Sequence, residues 1–135
     1  MNKTTKNSLS TAMHGEAFAY AKYMLFAERA RQSANTELAQ LFEKTAKEEL
    51  LEHFAEEAAL AELVGSDTEN LQDAIQGESY EVDTMYSDFA EQSFSAGDKA
   101  VGDRFAEIRH DEMRHRDAFK EALAKLAKHQ AAQRK

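Results

Sequence analysis

Glu112 and His115 stand three residues apart inside the run Phe105-Ala106-Glu107-Ile108-Arg109-His110-Asp111-Glu112-Met113-Arg114-His115-Arg116-Asp117-Ala118-Phe119. Read as a helix, Val101, Phe105, Ile108, Phe119, Ala122 and Leu126 form one apolar stripe, stepping by threes and fours. Glu112 and His115 continue the same steps, so a carboxylate and an imidazole lie on the face where Leu or Ile would be ordinary. A buried, unpaired carboxylate costs several kcal/mol and needs compensation. Glu-x-x-His on a bundle helix is the ligand pair of a carboxylate-bridged di-metal site.

Three further stripes carry the same chemistry. Glu16 falls among Leu9, Ala12, Met13, Tyr20 and Met24. Glu49, Glu52 and His53 follow Leu38, Leu41, Phe42 and Thr45. Glu78 and Glu81 fall among Leu71, Ala74, Ile75, Val82, Met85 and Phe89. Six carboxylates and one imidazole (Glu16, Glu49, Glu52, Glu78, Glu81, Glu112 and His115) cannot share an apolar core as bare charges, because like charges drive carboxyl pKa values up. Two cations resolve the conflict. Carboxylate oxygens with imidazole suit iron or manganese, and bridging carboxylates hold two such metals about 3.5–4 Å apart. A single Glu on a stripe would ordinarily keep its head in water; four helices carrying them together is what points to metal.

The elements that position these groups are four predicted helices, at about 8–33, 36–64, 68–94 and 99–130, in one all-α domain spanning 1–135. The chain has no proline, five glycines and abundant Ala, Glu, Leu and Lys, a composition for long helices. Ser33 or Asn35 caps the second helix, Gly65 ends it, Ser66 or Asp67 caps the third, and Ser95-Ala96-Gly97-Asp98 breaks the chain before the fourth. Lys125, Lys128, Arg134 and Lys135 complement the dipole at the end of the last helix.

The chain also repeats itself. Gly15-Glu16-Ala17-Phe18 recurs as Gly77-Glu78-Ser79-Tyr80 at an offset of 62, while Phe42 and Glu49 recur as Phe105 and Glu112 at an offset of 63. The four helices are therefore two copies of one hairpin. The repeat sets Glu52 opposite His115, and Ala19 opposite Glu81.

A net charge of -8 argues against a general nucleic-acid binder. The absence of cysteine excludes disulfides and thiolate-ligated metal centres. No apolar run suits a secretory signal or a membrane span, so a cytoplasmic protein is the expectation.

These motifs resemble the rubrerythrin family of the ferritin-like di-iron superfamily, over roughly residues 8 to 128. Gly15-Glu16 with Tyr23 is similar to the family's first ligand helix, and Phe42-Glu43-Lys44-Thr45-Ala46 leading to Glu49 to its second. Gly77-Glu78-Ser79-Tyr80-Glu81 with Met85-Tyr86 looks like the third, and Glu112-x-x-His115 like the fourth. The resemblance implies a ferritin-like four-helix bundle holding two iron ions, with manganese as the alternative. It implies reduction of hydrogen peroxide in oxidative-stress defence, or else ferroxidase or iron-binding activity with oxygen as oxidant; a metal-stabilised bundle without turnover is the third reading. Tyr23 and Tyr86 would lie beside the metals, bonded to ligands, and Glu81 would be the ligand that moves with oxidation state.

Three departures stand out. Without cysteine there is no rubredoxin-type centre, so the chain is closest in kind to short, stand-alone erythrins, and electrons must come from a separate donor protein. In the second helix the family has Glu-x-x-His, whereas here Glu49 is followed by Leu50, Leu51 and Glu52, with His53 one place late. Glu52 is expected to take the ligand place, with His53 at i+4 in its stead or beside it.

The link between the second and third helices is the third departure. In a ferritin-like bundle these helices run parallel, and the return from Val64 to the start of the third helix spans roughly 35 Å. Five or six link residues reach only about 20 Å. Either the helices are antiparallel throughout, or each hairpin packs onto the other hairpin of a second chain in a domain-swapped homodimer. The resemblance to short erythrins favours the swap.

Overall fold

A computed structural model describes residues 1–133, so that Arg134 and Lys135 of the basic tail lie outside the described residues. Every regular element among the described residues is helical, and none of the described helices is long and apolar enough to cross a membrane. The chain divides into two units, Met1–Val64 and Gly65–Lys135, each one helical hairpin.

In the first unit α1 (Lys3–Gln32) pairs with α2 (Thr36–Glu48), a π-helical turn π1 (Glu49–Phe54) and α3 (Ala55–Leu60). The first helix begins at Lys3 rather than near residue 8, because Asn2 caps it by accepting the Thr5 N–H at 2.9 Å. Asn35 caps α2 through the Leu38 N–H. The helices meet on small residues: Ala27, Ala30, Ala39 and Ala46 are buried. Arg31 of α1 and Glu43 of α2 are paired across the hairpin.

In the second unit α4 (Asp67–Tyr80), π2 (Glu81–Met85) and α5 (Tyr86–Ala96) form one long arm, and α6 (Lys99–Gln133) forms the other. Ser66 and Glu69 form a reciprocal capping box at the start of α4. Val82, Ala90 and Gly102 are buried. At Gly102 the arms come so close that a β-carbon would sit 2.6 Å from the Phe94 ring.

Helix ends follow one motif. Leu63 N–H reaches Ala58 O, Asn35 N–H reaches Ala30 O, and Asp98 N–H reaches Ser93 O. The left-handed residue of these caps is Glu62 (φ 52°), Ala34 (φ 57°) and Gly97 (φ 87°) respectively. The helix expected to end at Gly65 therefore ends at Leu60, with Glu62 taking the left-handed turn. Gly65 serves the entry to α4 instead, its N–H donating to Asn70 Oδ1 at 2.8 Å.

Candidate metal centre

Each hairpin brings together two carboxylates and one imidazole. In the first, Glu16 of α1 faces Glu49 and His53 of π1. His53 Nδ1 lies 2.8 Å from Glu49 Oε2 and 3.8 Å from Glu16 Oε2. In the second, Glu78 of α4 faces Glu112 and His115 of α6, with His115 Nδ1 2.6 Å from Glu112 Oε2 and 3.8 Å from Glu78 Oε1. Within each triad, one ligand atom per residue lies within 4.8 Å of the others. The two triads match almost distance for distance.

Each hairpin also carries an aromatic cluster. Tyr23, Phe26 and Phe42 have ring centroids 6.2, 6.1 and 5.4 Å apart. Their counterparts Tyr86, Phe89 and Phe105 are 6.4, 5.9 and 5.6 Å apart. The offset is 62 at Glu16/Glu78, 63 at every aromatic and at Glu49/Glu112, and 62 again at His53/His115. The two π turns account for both changes. A π turn takes in one residue more than an α turn, so the helix beyond it keeps its facing. In the second copy π2 adds a residue between Glu78 and Tyr86; in the first, π1 adds one between Glu49 and His53.

This insertion sets whether Glu52 or His53 shares a face with Glu49. An unbroken α-helix would carry the ligand face from Glu49 to Glu52. Through π1 the same face reaches His53, which joins the triad, while Glu52 stays outside it; both side chains are exposed. Glu81, Ala19's counterpart, is half-buried and outside the second triad, but within reach of the Glu112 charge. Tyr23 and Tyr86 pack among phenylalanines; among the described residues neither hydroxyl bonds a ligand carboxylate.

The charges are those of a site that wants cations. Glu16 is held above the usual carboxyl range because it shares a hydrogen bond with Glu49, with burial adding to it. Glu49 is correspondingly lowered by its bonds to Glu16 and His53, and His53 is raised by Glu49. In the second hairpin burial leads: it raises Glu78, helped by a bond to Glu112, and it raises Glu81, helped by the Glu112 charge. Burial and these carboxylates also raise the Tyr86 phenol. Glu78 Oε2 is buried without a hydrogen-bond partner. An acceptor so placed, converging with a second carboxylate and an imidazole nitrogen, fits a hard or borderline divalent cation.

Two arginines of α6 escape a reading of the sequence. Arg109 Nε donates to the Val82 carbonyl at 2.6 Å, and Arg116 Nη1 meets Asp83 Oδ1 at 3.3 Å. Both partners are in π2. The shift of repeat offset from 62 to 63 was the one sequence signal that something unusual lies there.

A sequence model of the Rubrerythrin family matches residues 7–123. The chain is 32% identical to a rubrerythrin of Porphyromonas gingivalis over 92% of its own length and 70% of the relative's. It is 30% identical to a nigerythrin of Nitratidesulfovibrio vulgaris over 86% of its own length and 64% of the relative's. With the two carboxylate–histidine triads in place, this match over most of the chain shows that the protein belongs to the rubrerythrin family.

Proposed function

We propose that the protein is a di-iron oxidoreductase that reduces hydrogen peroxide in the cytoplasm, with electrons from a separate donor protein. The carrying observation is the pair of matched triads. Glu16, Glu49 and His53 of one hairpin and Glu78, Glu112 and His115 of the other are the residue types that would hold a dinuclear iron centre, and Glu81 adds a carboxylate within reach of the Glu112 charge. A bound pair of ferrous ions supplies the two electrons that take peroxide and two protons to two waters.

The protein's own residues manage charge and protons. Glu16 and Glu49 share a hydrogen bond, and both would ligate as carboxylates, so metal binding there would release the shared proton. Glu81, held above the usual carboxyl range by burial and by the Glu112 charge, is a carboxyl suited to exchange protons near the ligands. Tyr86, raised by burial and by the nearby carboxylates, remains a neutral phenol packed on Phe105.

The test is stopped-flow absorbance on the anaerobic Fe(II)-loaded protein, mixed separately with peroxide and with oxygen. Faster oxidation by peroxide is expected, at two irons per complete ligand set. Faster reaction with oxygen would make the protein a ferroxidase, and no stoichiometric iron uptake would point to manganese or to a structural bundle. Protein mass measured alongside iron content separates a single-chain centre from one built in a domain-swapped homodimer. In the same assay His53→Ala is expected to cut iron uptake, and Glu52→Ala to leave it near wild type.

A further inference from the structure

We infer that Arg109 is a positioning residue: it holds the π2 turn open through the Val82 carbonyl and so sets Glu81 beside Glu112. This rests on the metal reading above for its consequence, and on geometry alone for the clamp.

The backbone argument starts at Tyr86. In an α-helix its N–H would bond the carbonyl of Val82, four residues back. Here it bonds Glu81 O, five residues back. The Val82 carbonyl thereby loses its ordinary partner. Val82 is 2% exposed, so water offers little replacement, and a buried carbonyl left without a donor is costly. Arg109 Nε fills that place at 2.6 Å from the opposite arm. A charged donor to a buried carbonyl is stronger than a neutral one.

The location is selective. Two arginines of α6 reach across the second hairpin, and both land on π2: Arg109 on the Val82 carbonyl and Arg116 on Asp83. Arg109 lies one helical turn before Glu112 and Arg116 one turn after it, so the two brackets straddle the ligand. The first hairpin has no such bracket: Ala46 and Phe54 hold the matching places. It also has Ala19 where the second has Glu81. The clamp and the extra carboxylate thus occur together, in the same copy.

Were π2 to relax into an α turn, Val82 O would regain the Tyr86 N–H. One residue would then have to leave the helix, or everything beyond it would turn by about 100° relative to Glu78 and Glu81. Glu78 and Glu81 before the turn, and Tyr86 and Phe89 after it, face α6 together only while the extra residue is accommodated. Arg109 therefore acts on the ligands through backbone geometry and touches none of them.

Two measurements test this on the whole chain. The first is hydrogen–deuterium exchange of the metal-free protein. Arg109→Leu, which keeps the bulk and loses the donor, is expected to speed exchange at residues 82–87 with little change in α1 and α2. The second is Mn(II) titration followed by electron paramagnetic resonance. Arg109→Leu is expected to weaken binding by about 10- to 100-fold, the usual loss when a group supporting a ligand is removed. In an Glu81→Gln background it is expected to weaken binding no further. A purely structural role would add its loss to that of Glu81→Gln. Unchanged exchange at residues 82–87, or additive losses, would overturn the assignment. Should Arg109→Leu fail to fold, Arg109→Lys, which keeps a donor without the guanidinium reach, carries the same two readouts. If wild type takes up no Mn(II) or Fe(II), the metal reading falls while the exchange measurement still decides the clamp.

Discussion

The two hairpins reach one ligand geometry by different chain spacings. In each, an imidazole Nδ1 lies under 3 Å from one carboxylate and 3.8 Å from another, and the same hairpin carries a Tyr-Phe-Phe cluster. Yet the first places its extra residue after Glu49 and the second after Glu78. The spatial pattern is common to both, and the residue count between ligands is not. A π turn makes this affordable in structural terms, since it absorbs one residue locally and leaves the rest of the helix facing as before. The second hairpin adds what the first lacks, a further carboxylate at Glu81 and arginines that brace its π turn.

The largest expected effect comes from taking the extra residue away. Deleting Leu51, which is exposed in π1, leaves Glu49-Leu50-Glu52-His53, the Glu-x-x-His spacing of the second hairpin. The variant is expected to fold and to bind metal close to wild type. Deleting Lys44, equally exposed but in the α-helical α2, turns Ala46 and Glu49 by about 100° off their face. That variant is expected to lose metal binding altogether and much of its thermal stability. Metal titration and melting curves on the pair check it. If both deletions are equally damaging, π1 is not a tolerated insertion and the comparison between the hairpins breaks.

Much of this was legible in the sequence. Composition and periodicity called for helices, the repeat called for two hairpins, and seven ligand-type residues, Glu52 among them, stood out because ionisable groups interrupt apolar stripes. The π turns were not legible, because a one-residue insertion in a weak repeat looks like a mismatch. That is why Glu52, three residues after Glu49, was expected where the structure brings His53. Arg109 and Arg116 were not legible either. A charged residue one turn from a ligand reads as a solvated surface until the carbonyl opposite it is seen to lack a partner.

Packing between the arms offers the next test. Gly102 has Ala39 as its counterpart, and both are buried. The first hairpin accepts a β-carbon there; the second fills the space with the Phe94 ring, 2.6 Å from where that carbon would be. Gly102→Ala is expected to destabilise the protein, because overpacking costs about 1–3 kcal/mol against about 1 kcal/mol gained by removing a helical glycine. Adding Phe94→Ala should recover part of the loss in a double-mutant cycle. Equal stabilisation by Gly102→Ala alone would mean that the ring moves aside freely and that the arms are no closer than in the first hairpin.

The turns differ by the same logic, with a smaller effect. Ala34 and Gly97 are counterparts, and both take positive φ, 57° and 87°. A β-carbon in that conformation costs about 1 kcal/mol, which glycine avoids. Ala34→Gly is expected to raise stability by up to about 1 kcal/mol and Gly97→Ala to lower it by about as much. Chemical denaturation with an unchanged slope would confirm that both act on the folded hairpin. Changes of the same sign at both sites would show that the two turns are not equivalent.

The helix starts differ in charge. α1 is capped by neutral Asn2, whereas the cap of α4 includes an ionisable group, Glu69, whose carboxylate accepts the Ser66 N–H at 2.8 Å and the Ser66 hydroxyl at 2.6 Å. These bonds hold Glu69 below its ordinary value of 4.5. A carboxyl lowered by folding contributes stability that is present above the unfolded-state value and is lost as pH falls through the folded-state value. On acidification below pH 4.5 the first turn of α4 should therefore fray ahead of the first turn of α1. Amide exchange at Glu69 and Asn70, compared with Thr5 and Lys6, reads the two caps in one sample. Glu69→Gln removes the titrating group, so the acid-dependent step should vanish at α4 while α1 behaves as before. A step that survives in Glu69→Gln would assign the fraying to carboxylates elsewhere in the second hairpin and leave the two helix starts alike.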